Sequence, residues 1–104
     1  MPTNSFVVVA HFRAKPGKEN DLERLLLSLV EPTRQEQGCL RYDLHRDEQD
    51  PFQFLFYEIW ASREAWDAHM LSAHLEAFKP AVEEYLAEPL RLWQMRQIEP
   101  GSQA

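Results

Sequence analysis

Cysteine is almost absent from this sequence of 104 residues. Cys39 is the only one, so the chain cannot form a disulfide within itself. Iron–sulfur clusters and cysteine-rich zinc sites need several thiolate ligands, and the sequence excludes both kinds of site. Because Cys39 opens a predicted strand directly after a glycine, we expect a small buried residue rather than a nucleophile.

Positive charge is also scarce. The sequence has 11 Lys and Arg against 17 Asp and Glu, which gives a net charge of −6 at pH 7. It contains no run of basic residues. Because nucleic acids and anionic membrane surfaces attract basic patches, the composition argues against both kinds of partner.

Long apolar runs are missing as well. The longest run near the N-terminus is Phe6–Ala10, and His11 ends it. This run is too short for the hydrophobic part of a signal peptide and far too short to span a membrane. We therefore expect a cytoplasmic protein.

The length predicts one domain over residues 1–104, with a folded core at about 5–98 and a tail at 99–104. A hydrophobic fraction of 44% is enough for one core, although a small one. A domain of this size has modest stability alone, so pairing with a second copy is a reasonable expectation.

Alternating apolar residues predict strands, and apolar residues at helical spacing predict helices. The predicted elements, in chain order, are a strand at Phe6–Arg13, a helix at Glu19–Gln37, strands at Cys39–Arg46 and Phe52–Trp60, a helical region at Ser62–Ala87 and a strand at Pro89–Ile98. Asp47–Pro51 is predicted as a hairpin loop. Pro32 is expected to kink or end the first helix. Ser62 is expected to cap the start of the helical region, and Ser72 to cap its second half. Pro80 either kinks or restarts that region.

The order β-α-β-β-α-β is typical of the ferredoxin-like split βαβ fold of the α+β class, an antiparallel four-stranded sheet with both helices on one face. The other face keeps apolar residues, because either the set with Val7 and Val9 or the set with Phe6 must point away from the helices. An exposed apolar face is unusual for a soluble monomer. We therefore predict a homodimer packed through sheet faces and the C-terminal strand. A ligand or the tail over this face is the alternative.

The stretch Phe54–Phe78 places two imidazoles among aromatic rings just after a strand. His69 and His74 are the candidate catalytic residues, because an imidazole can accept or donate a proton near neutral pH. Trp66 and Phe78 are predicted as walls of a cavity for a small, flat, apolar substrate. Alternatively, one histidine lies on a helix surface and the other is a hydrogen-bonded core residue.

Further residues of two strands are candidates for substrate binding. Tyr57 and Trp60 are three apart on a strand and face opposite ways, so only one can line a given cavity. Ordinary core packing is the alternative for both. His11 shares a strand face with Arg13 and is a candidate for a polar site there. Glu58 is expected to be buried and paired, where it orients a histidine or binds Arg13, or to face a dimer contact.

A metal site is not predicted. His69 and His74 are five apart, about 140° around a helix that turns about 100° per residue, whereas zinc-binding helices prefer an i, i+4 spacing. A helix break at Ser72 could bring the two histidines together. However, the sequence shows no carboxylate at good spacing for a third ligand.

Several segments, in this order and spacing, resemble the antibiotic biosynthesis monooxygenase (ABM) domain family. The segments are Lys15–Lys18, Gly38–Asp43, Tyr57–Ser62, Ala68–His69 and Ser72–His74. The resemblance covers about residues 5–98. It implies a dimeric ferredoxin-like α+β barrel and, for the enzymes of the family, oxidation of phenolic or quinol substrates by O2 without a cofactor.

The haem-degrading branch of that family is not matched. It uses an Asn on the first strand, which is missing here. Its Trp position is occupied by His69 and its haem-ligating His position by Lys79. We therefore expect no haem degradation.

The resemblance and the residues together favour a cofactor-independent monooxygenase that acts on a quinol or polyphenol with O2. An isomerase or lyase that acts on a small oxygenated metabolite is the first alternative, with the same histidines as acid and base. A small-molecule-binding or stress-response module without enzymatic activity is the second. The sequence does not name the substrate.

Overall fold

The computed structural model describes residues 5–98, so the predicted tail at 99–104 lies outside the described residues. The elements in chain order are β1 (Phe6–Arg13), α1 (Glu19–Leu27), α2 (Val30–Arg34), β2 (Cys39–Arg46), β3 (Gln53–Trp60), α3 (Arg63–Met70), α4 (Ala73–Val82), a 3-10 turn (Glu83–Tyr85) and β4 (Arg91–Arg96). Within residues 5–98, no helix is both long and apolar enough to cross a membrane.

The four strands form one antiparallel sheet in the order β2-β3-β1-β4. Val9 of β1 lies opposite Tyr57 of β3 on one side and opposite Trp93 of β4 on the other. β2 pairs with β3 across the predicted hairpin loop. The ferredoxin-like α+β fold and its four-stranded antiparallel sheet are therefore confirmed.

The first helical region is interrupted at Ser28 and Leu29, before Pro32. Pro32 lies in the first turn of α2, and it has no N–H to donate to the carbonyl of Ser28, one turn before it. The chain accordingly leaves the helix at Ser28 and Leu29, where the Ser28 hydroxyl donates to the Leu25 carbonyl at 2.6 Å. The predicted interruption is present, and α2 ends at Arg34 rather than at Gln37.

Two serines begin the helices of the second helical region, as predicted. Ser62 accepts a hydrogen bond from the Ala65 amide at 3.1 Å, and Ser72 accepts one from the Leu75 amide at 3.4 Å. The chain therefore turns between α3 and α4. Pro80 lies inside α4, which continues through it to Val82.

The helices cover one face of the sheet. Every second strand residue on that face, such as Val8, Phe12, Phe56 and Trp60, belongs to one buried core with the helices. The other face, here called the outer face, also carries apolar side chains. It comprises Val7, Val9, Leu55, Tyr57, Ile59, Trp93 and Met95 together with several polar residues.

Gly38 lets the start of β2 approach α3 closely. Its φ is +89°, a conformation that favours glycine, and a Cβ at this position would lie 2.6 Å from the Cβ of Ala65. The Gly38 carbonyl also accepts a hydrogen bond from the Ala61 amide at 2.8 Å. This contact holds the segment before β2 against the helix that follows β3.

Gly38→Ala should destabilise the protein more than Gly17→Ala. Both glycines have φ +89°, but a Cβ on Gly17 would have no atom within 4 Å. The difference between the two variants therefore isolates the contact with Ala65, and overpacking of this kind costs about 1–3 kcal/mol. Urea unfolding measures the free energy of unfolding of each variant. Equal losses in the two variants would show that the close approach of Gly38 to Ala65 does not affect stability.

Candidate functional site

A cavity of about 320 Å³ lies between the sheet and the helices. Apolar side chains form most of its wall; they include Ala10, Phe12 and Phe56 from the sheet and Trp66, Leu75 and Phe78 from the helices. The polar side chains on the wall are Tyr42, Glu58, His69, Lys79 and Glu83. The site is thus an apolar chamber with a few ionisable groups, the usual composition of a small-molecule site.

The structure brings three of the predicted site residues to this cavity. His69, Trp66 and Phe78 all line it. Trp60 is fully buried behind the cavity wall, where its ring lies 4.7 Å from the His69 ring between centroids. His74 is beside the cavity rather than on its wall, and it contacts the site through another residue.

Two predicted residues lie elsewhere. Tyr57 and His11 are on the outer face, opposite Val9 and Leu55 respectively. A ring nitrogen of His11 lies 2.7 Å from the side-chain oxygen of Gln53. Because side chains alternate along a strand, neither residue reaches the cavity, and their assignment to this substrate site is not supported by the structure.

His69 is held rigidly in the last turn of α3. Only 2% of it is exposed, and its ring packs against Trp60 and, at 5.5 Å between centroids, against Tyr42. Burial lowers the pKa of His69 below its ordinary value of 6.5, although the nearby Glu36 carboxylate works in the opposite direction. The imidazole is therefore neutral at pH 7.

Glu36 selects the tautomer of His69. The Nδ1 atom of His69 lies 2.8 Å from Oε2 of Glu36, and a carboxylate accepts hydrogen bonds, so Nδ1 carries the hydrogen. The other ring nitrogen, Nε2, then has a free lone pair. Within residues 5–98 it has no hydrogen-bond partner, and His69 forms part of the cavity wall. A neutral histidine with an available Nε2 is the usual form of a general base.

The same carboxylate oxygen contacts a second imidazole. Nε2 of His74, in the first turn of α4, lies 2.7 Å from Oε2 of Glu36. The Ser72 hydroxyl, between the two helices, donates to the His69 carbonyl at 2.7 Å and thus ties the end of α3 to the start of α4. Glu36 follows α2, so one side chain joins three segments of the helical layer.

Sequence reasoning missed Glu36. It precedes His69 by 33 residues and His74 by 38, and no local spacing relates them. The ligand atoms of these three residues lie within 4.8 Å of one another and could hold a metal ion. The sequence shows no carboxylate at good spacing for a third ligand, whereas the fold places Glu36 beside both histidines. Gly38, two residues after Glu36, packs against Ala65 of α3, and this contact is seen only in the fold.

Glu58 supplies an acid to the cavity wall. It is 4% exposed, and its Oε1 accepts a hydrogen bond from Nε1 of Trp60 at 2.9 Å. Burial raises the pKa of Glu58 from 4.5 to about 7, and the charge of Glu36 adds to this rise, whereas the Trp60 hydrogen bond opposes it. Glu58 is buried, as one of the alternatives predicted, but its hydrogen-bond partner is Trp60 rather than a histidine or Arg13.

The cavity therefore combines a neutral base and an acid that is about half protonated at pH 7. Burial also raises the pKa of the Tyr42 hydroxyl, which stays protonated. Environments that push the pKa values of a histidine down and of a carboxylic acid up are a mark of acid–base sites. The chemistry that fits is removal of a proton from a small apolar molecule and return of a proton at another atom.

Glu58→Gln should change how stability depends on pH. Below pH 4.5 the carboxyl is protonated in both the folded and the unfolded chain; between 4.5 and about 7 only the unfolded chain ionises. The free energy of unfolding of the wild type therefore falls as pH rises through this window, by roughly 3 kcal/mol at about 1.4 kcal/mol per pKa unit. The glutamine variant lacks this loss but still accepts from Trp60.

Urea unfolding at pH 4 and pH 8 measures the effect as the difference between variant and wild type. Glu48→Gln, at an exposed position, is the matched control and should follow the wild type. Parallel pH dependence of Glu58→Gln and wild type would show that Glu58 ionises normally in the fold.

Comparison with known proteins places this chain in a family. The model of the family described as antibiotic biosynthesis monooxygenase matches residues 5–81. An uncharacterised protein of Synechocystis sp. is 33% identical over 86 residues, which are 83% of this chain and 58% of that protein. The chain thus spans little more than half the length of this relative.

Two further relatives match along nearly their whole length. Rv0793 of Mycobacterium tuberculosis, whose name assigns it provisionally to the monooxygenases, is 31% identical over 96% of this chain and 98% of that protein. Its structure superposes with a TM-score of 0.88. PA3566 from Pseudomonas aeruginosa is 33% identical over 92% of this chain and 96% of its own, with a TM-score of 0.87. By sequence and by fold, this chain belongs to the antibiotic biosynthesis monooxygenase family.

Proposed function

We propose that this protein is a cofactor-independent monooxygenase that uses O2 to oxidise a quinol or polyphenol. One observation carries the proposal: His69 is buried and neutral, Glu36 fixes its Nδ1, and its ring lines an aromatic cavity. Membership in a monooxygenase family supports the reaction class. The quinol substrate is our inference from the match between a neutral base and an acidic phenol.

The reaction begins with proton transfer to His69. Nε2 takes the phenolic proton, and the Glu36 carboxylate stabilises the imidazolium that forms. The phenolate is electron-rich enough to give an electron to O2. The resulting pair combines into a carbon–oxygen bond, and a hydroperoxide of the substrate is formed.

The second half of the reaction needs an acid. The O–O bond breaks, one oxygen atom stays on the substrate and the other leaves as water. Glu58, protonated up to about pH 7, is placed on the cavity wall to give a proton to the departing oxygen. Overall, a quinol and O2 give a hydroxyquinone and water, and the quinol supplies all four electrons.

The cavity suits this chemistry in size and polarity. Its volume of about 320 Å³ is at the lower end of the range for small-molecule sites, which is about 300–1,000 Å³. Aromatic walls favour apolar O2 and keep a radical pair away from bulk water. In this proposal Trp66 and Phe78 are the aromatic residues of the wall that bind the substrate.

His74 acts through Glu36 and does not contact the substrate. It contacts Glu36 but does not form part of the cavity wall, and 24% of its side chain is exposed. We assign it a positioning role: it holds the carboxylate that orients His69 and connects that carboxylate to solvent. The base that touches substrate is His69.

An isomerase or lyase remains the second candidate, because one observation favours it. A base and an acid on the wall of one cavity can move a proton between two atoms of a carbonyl compound without O2. Oxygen uptake separates this reaction from monooxygenation. A binding module would show neither reaction and would keep a ligand through purification.

His69→Asn should abolish most turnover while preserving the fold. The asparagine amide can still donate to Glu36, but it offers no base to the cavity. We expect a loss of roughly 10²–10⁴-fold in kcat, the usual effect of removing a general base. The assay is O2 consumption with a panel of hydroquinones after chelator treatment. His45→Ala, at an exposed position of β2, is the control and should keep full turnover.

Two results would refute parts of this proposal. If the wild type converts a substrate to product without O2 uptake, the isomerase or lyase hypothesis replaces the monooxygenase hypothesis. If His69→Asn retains wild-type turnover on a substrate the wild type oxidises, the base is another residue.

The outer face supports a homodimer, which we also propose. Trp93 and Met95 of the edge strand β4 are 40% and 45% exposed, beside Val9 and Val7. A second copy packed on this face would remove them from water. Trp93→Glu should shift the protein toward a 12.3 kDa monomer in sedimentation, and Leu27→Glu on α1 should not. A wild type that is monomeric at micromolar concentration contradicts the dimer.

A further inference from the structure

Glu36, His69 and His74, here called the Glu–His–His cluster, also bring together the ligand types of a metal site. A single carboxylate contact to His69 would be enough to fix its tautomer. Instead, one oxygen of Glu36 lies 2.8 Å from Nδ1 of His69 and 2.7 Å from Nε2 of His74. Two imidazole nitrogens and a carboxylate that converge on one point are the donor set of many divalent metal sites.

The spacing of the donors is close to what a metal ion needs. Zinc binds histidine nitrogen and carboxylate oxygen at about 2.0–2.2 Å, so its ligand atoms lie about 3.3 Å apart in a tetrahedral site. In the cluster the carboxylate oxygen lies 2.8 and 2.7 Å from the two nitrogens, and all three donor atoms lie within 4.8 Å of one another. An ion between them requires the carboxylate oxygen to withdraw by about half an ångström and the two nitrogens to come to about 3.3 Å from each other. Rotation of the Glu36 and His74 side chains, which are both partly exposed, provides these changes.

The cluster is both supported and accessible. Its histidines are fixed by the cap at Ser72, whose hydroxyl donates to the His69 carbonyl and accepts from the Leu75 amide. His69 is 2% exposed, whereas the side chains of Glu36 and His74 are 16% and 24% exposed. An ion can therefore enter from the solvent side and complete its coordination with water.

We propose that the Glu–His–His cluster binds one divalent cation of the zinc class per chain. The ligands are Oε2 of Glu36, Nδ1 of His69 and Nε2 of His74. Binding replaces the two hydrogens that these nitrogens share with the carboxylate. The single carboxylate offsets part of the ion's charge. A coordination set of neutral imidazoles suits zinc and its neighbours better than calcium or magnesium.

The ion would reverse the role of His69 in the cavity. Without metal, Nδ1 carries the hydrogen and Nε2 is the base. With metal on Nδ1, the remaining hydrogen of the neutral ring is on Nε2, which becomes a donor and can no longer accept a proton. This consequence rests on the proposed function. The binding site itself does not.

Isothermal titration with ZnCl2 tests the site directly on the full-length, chelator-treated protein. We expect one ion per chain and, with Co2+ as a second probe, visible absorption bands of a histidine-ligated ion. His74→Ala and Glu36→Gln should each weaken binding by at least about tenfold. His74 is part-exposed, and circular dichroism checks that this variant is folded. His45→Ala should bind like the wild type.

The site is refuted if the wild type binds well below one ion per chain, or if His74→Ala and Glu36→Gln both bind Zn2+ as tightly as the wild type. A second measurement follows turnover as Zn2+ is added. Inhibition should track occupancy, be reversed by chelator and require at least tenfold more Zn2+ in His74→Ala. Binding in a protein that shows no oxygen uptake would refute the proposed function alone. Oxygen uptake without zinc binding would refute this inference alone.

Discussion

The site depends on one carboxylate oxygen that lies between two imidazoles. Oε2 of Glu36 is within 2.8 Å of ring nitrogens from both His69 and His74. Through this contact the segment after α2, the end of α3 and the start of α4 are joined beside the cavity. The contact decides which nitrogen of His69 carries its hydrogen, and hence which nitrogen can do chemistry.

Burial gives the cavity its acid and its base. The same removal from water that lowers the pKa of His69 raises that of Glu58, because burial disfavours the charged form of each group. One apolar chamber can thus hold a neutral imidazole and a carboxyl group that is about half protonated at pH 7. The Trp60 hydrogen bond to Glu58 keeps this acid oriented and moderates the shift.

The fold could be predicted from the sequence because its signals are local. Alternating apolar residues predicted β1 and β2. Ser62 and Ser72 predicted the starts of α3 and α4. Where the sequence was less informative, the determining contact is distant or indirect. Pro32 removes a hydrogen bond one turn before itself, so the break appears at Ser28 rather than at the proline.

The candidate site could be predicted only in part. Aromatic residues around His69 marked one wall of the cavity, but Glu36 is 33 residues away and follows a different helix. Strand alternation showed that Tyr57 and Trp60 face opposite ways, yet only the packed helices show which of them lies behind the cavity. Glu58 stood out as a charge in an apolar strand, and its role as an acid required its burial and its partner to be known.

The tautomer of His69 is the most direct test of this account. Long-range ¹⁵N–¹H correlation spectra of the metal-free protein at pH 7 report which ring nitrogen of His69 carries a hydrogen. The account predicts a neutral ring with hydrogen on Nδ1 and none on Nε2. Hydrogen on Nε2 alone, or on both nitrogens at pH 7, would contradict it, because no base would then face the cavity.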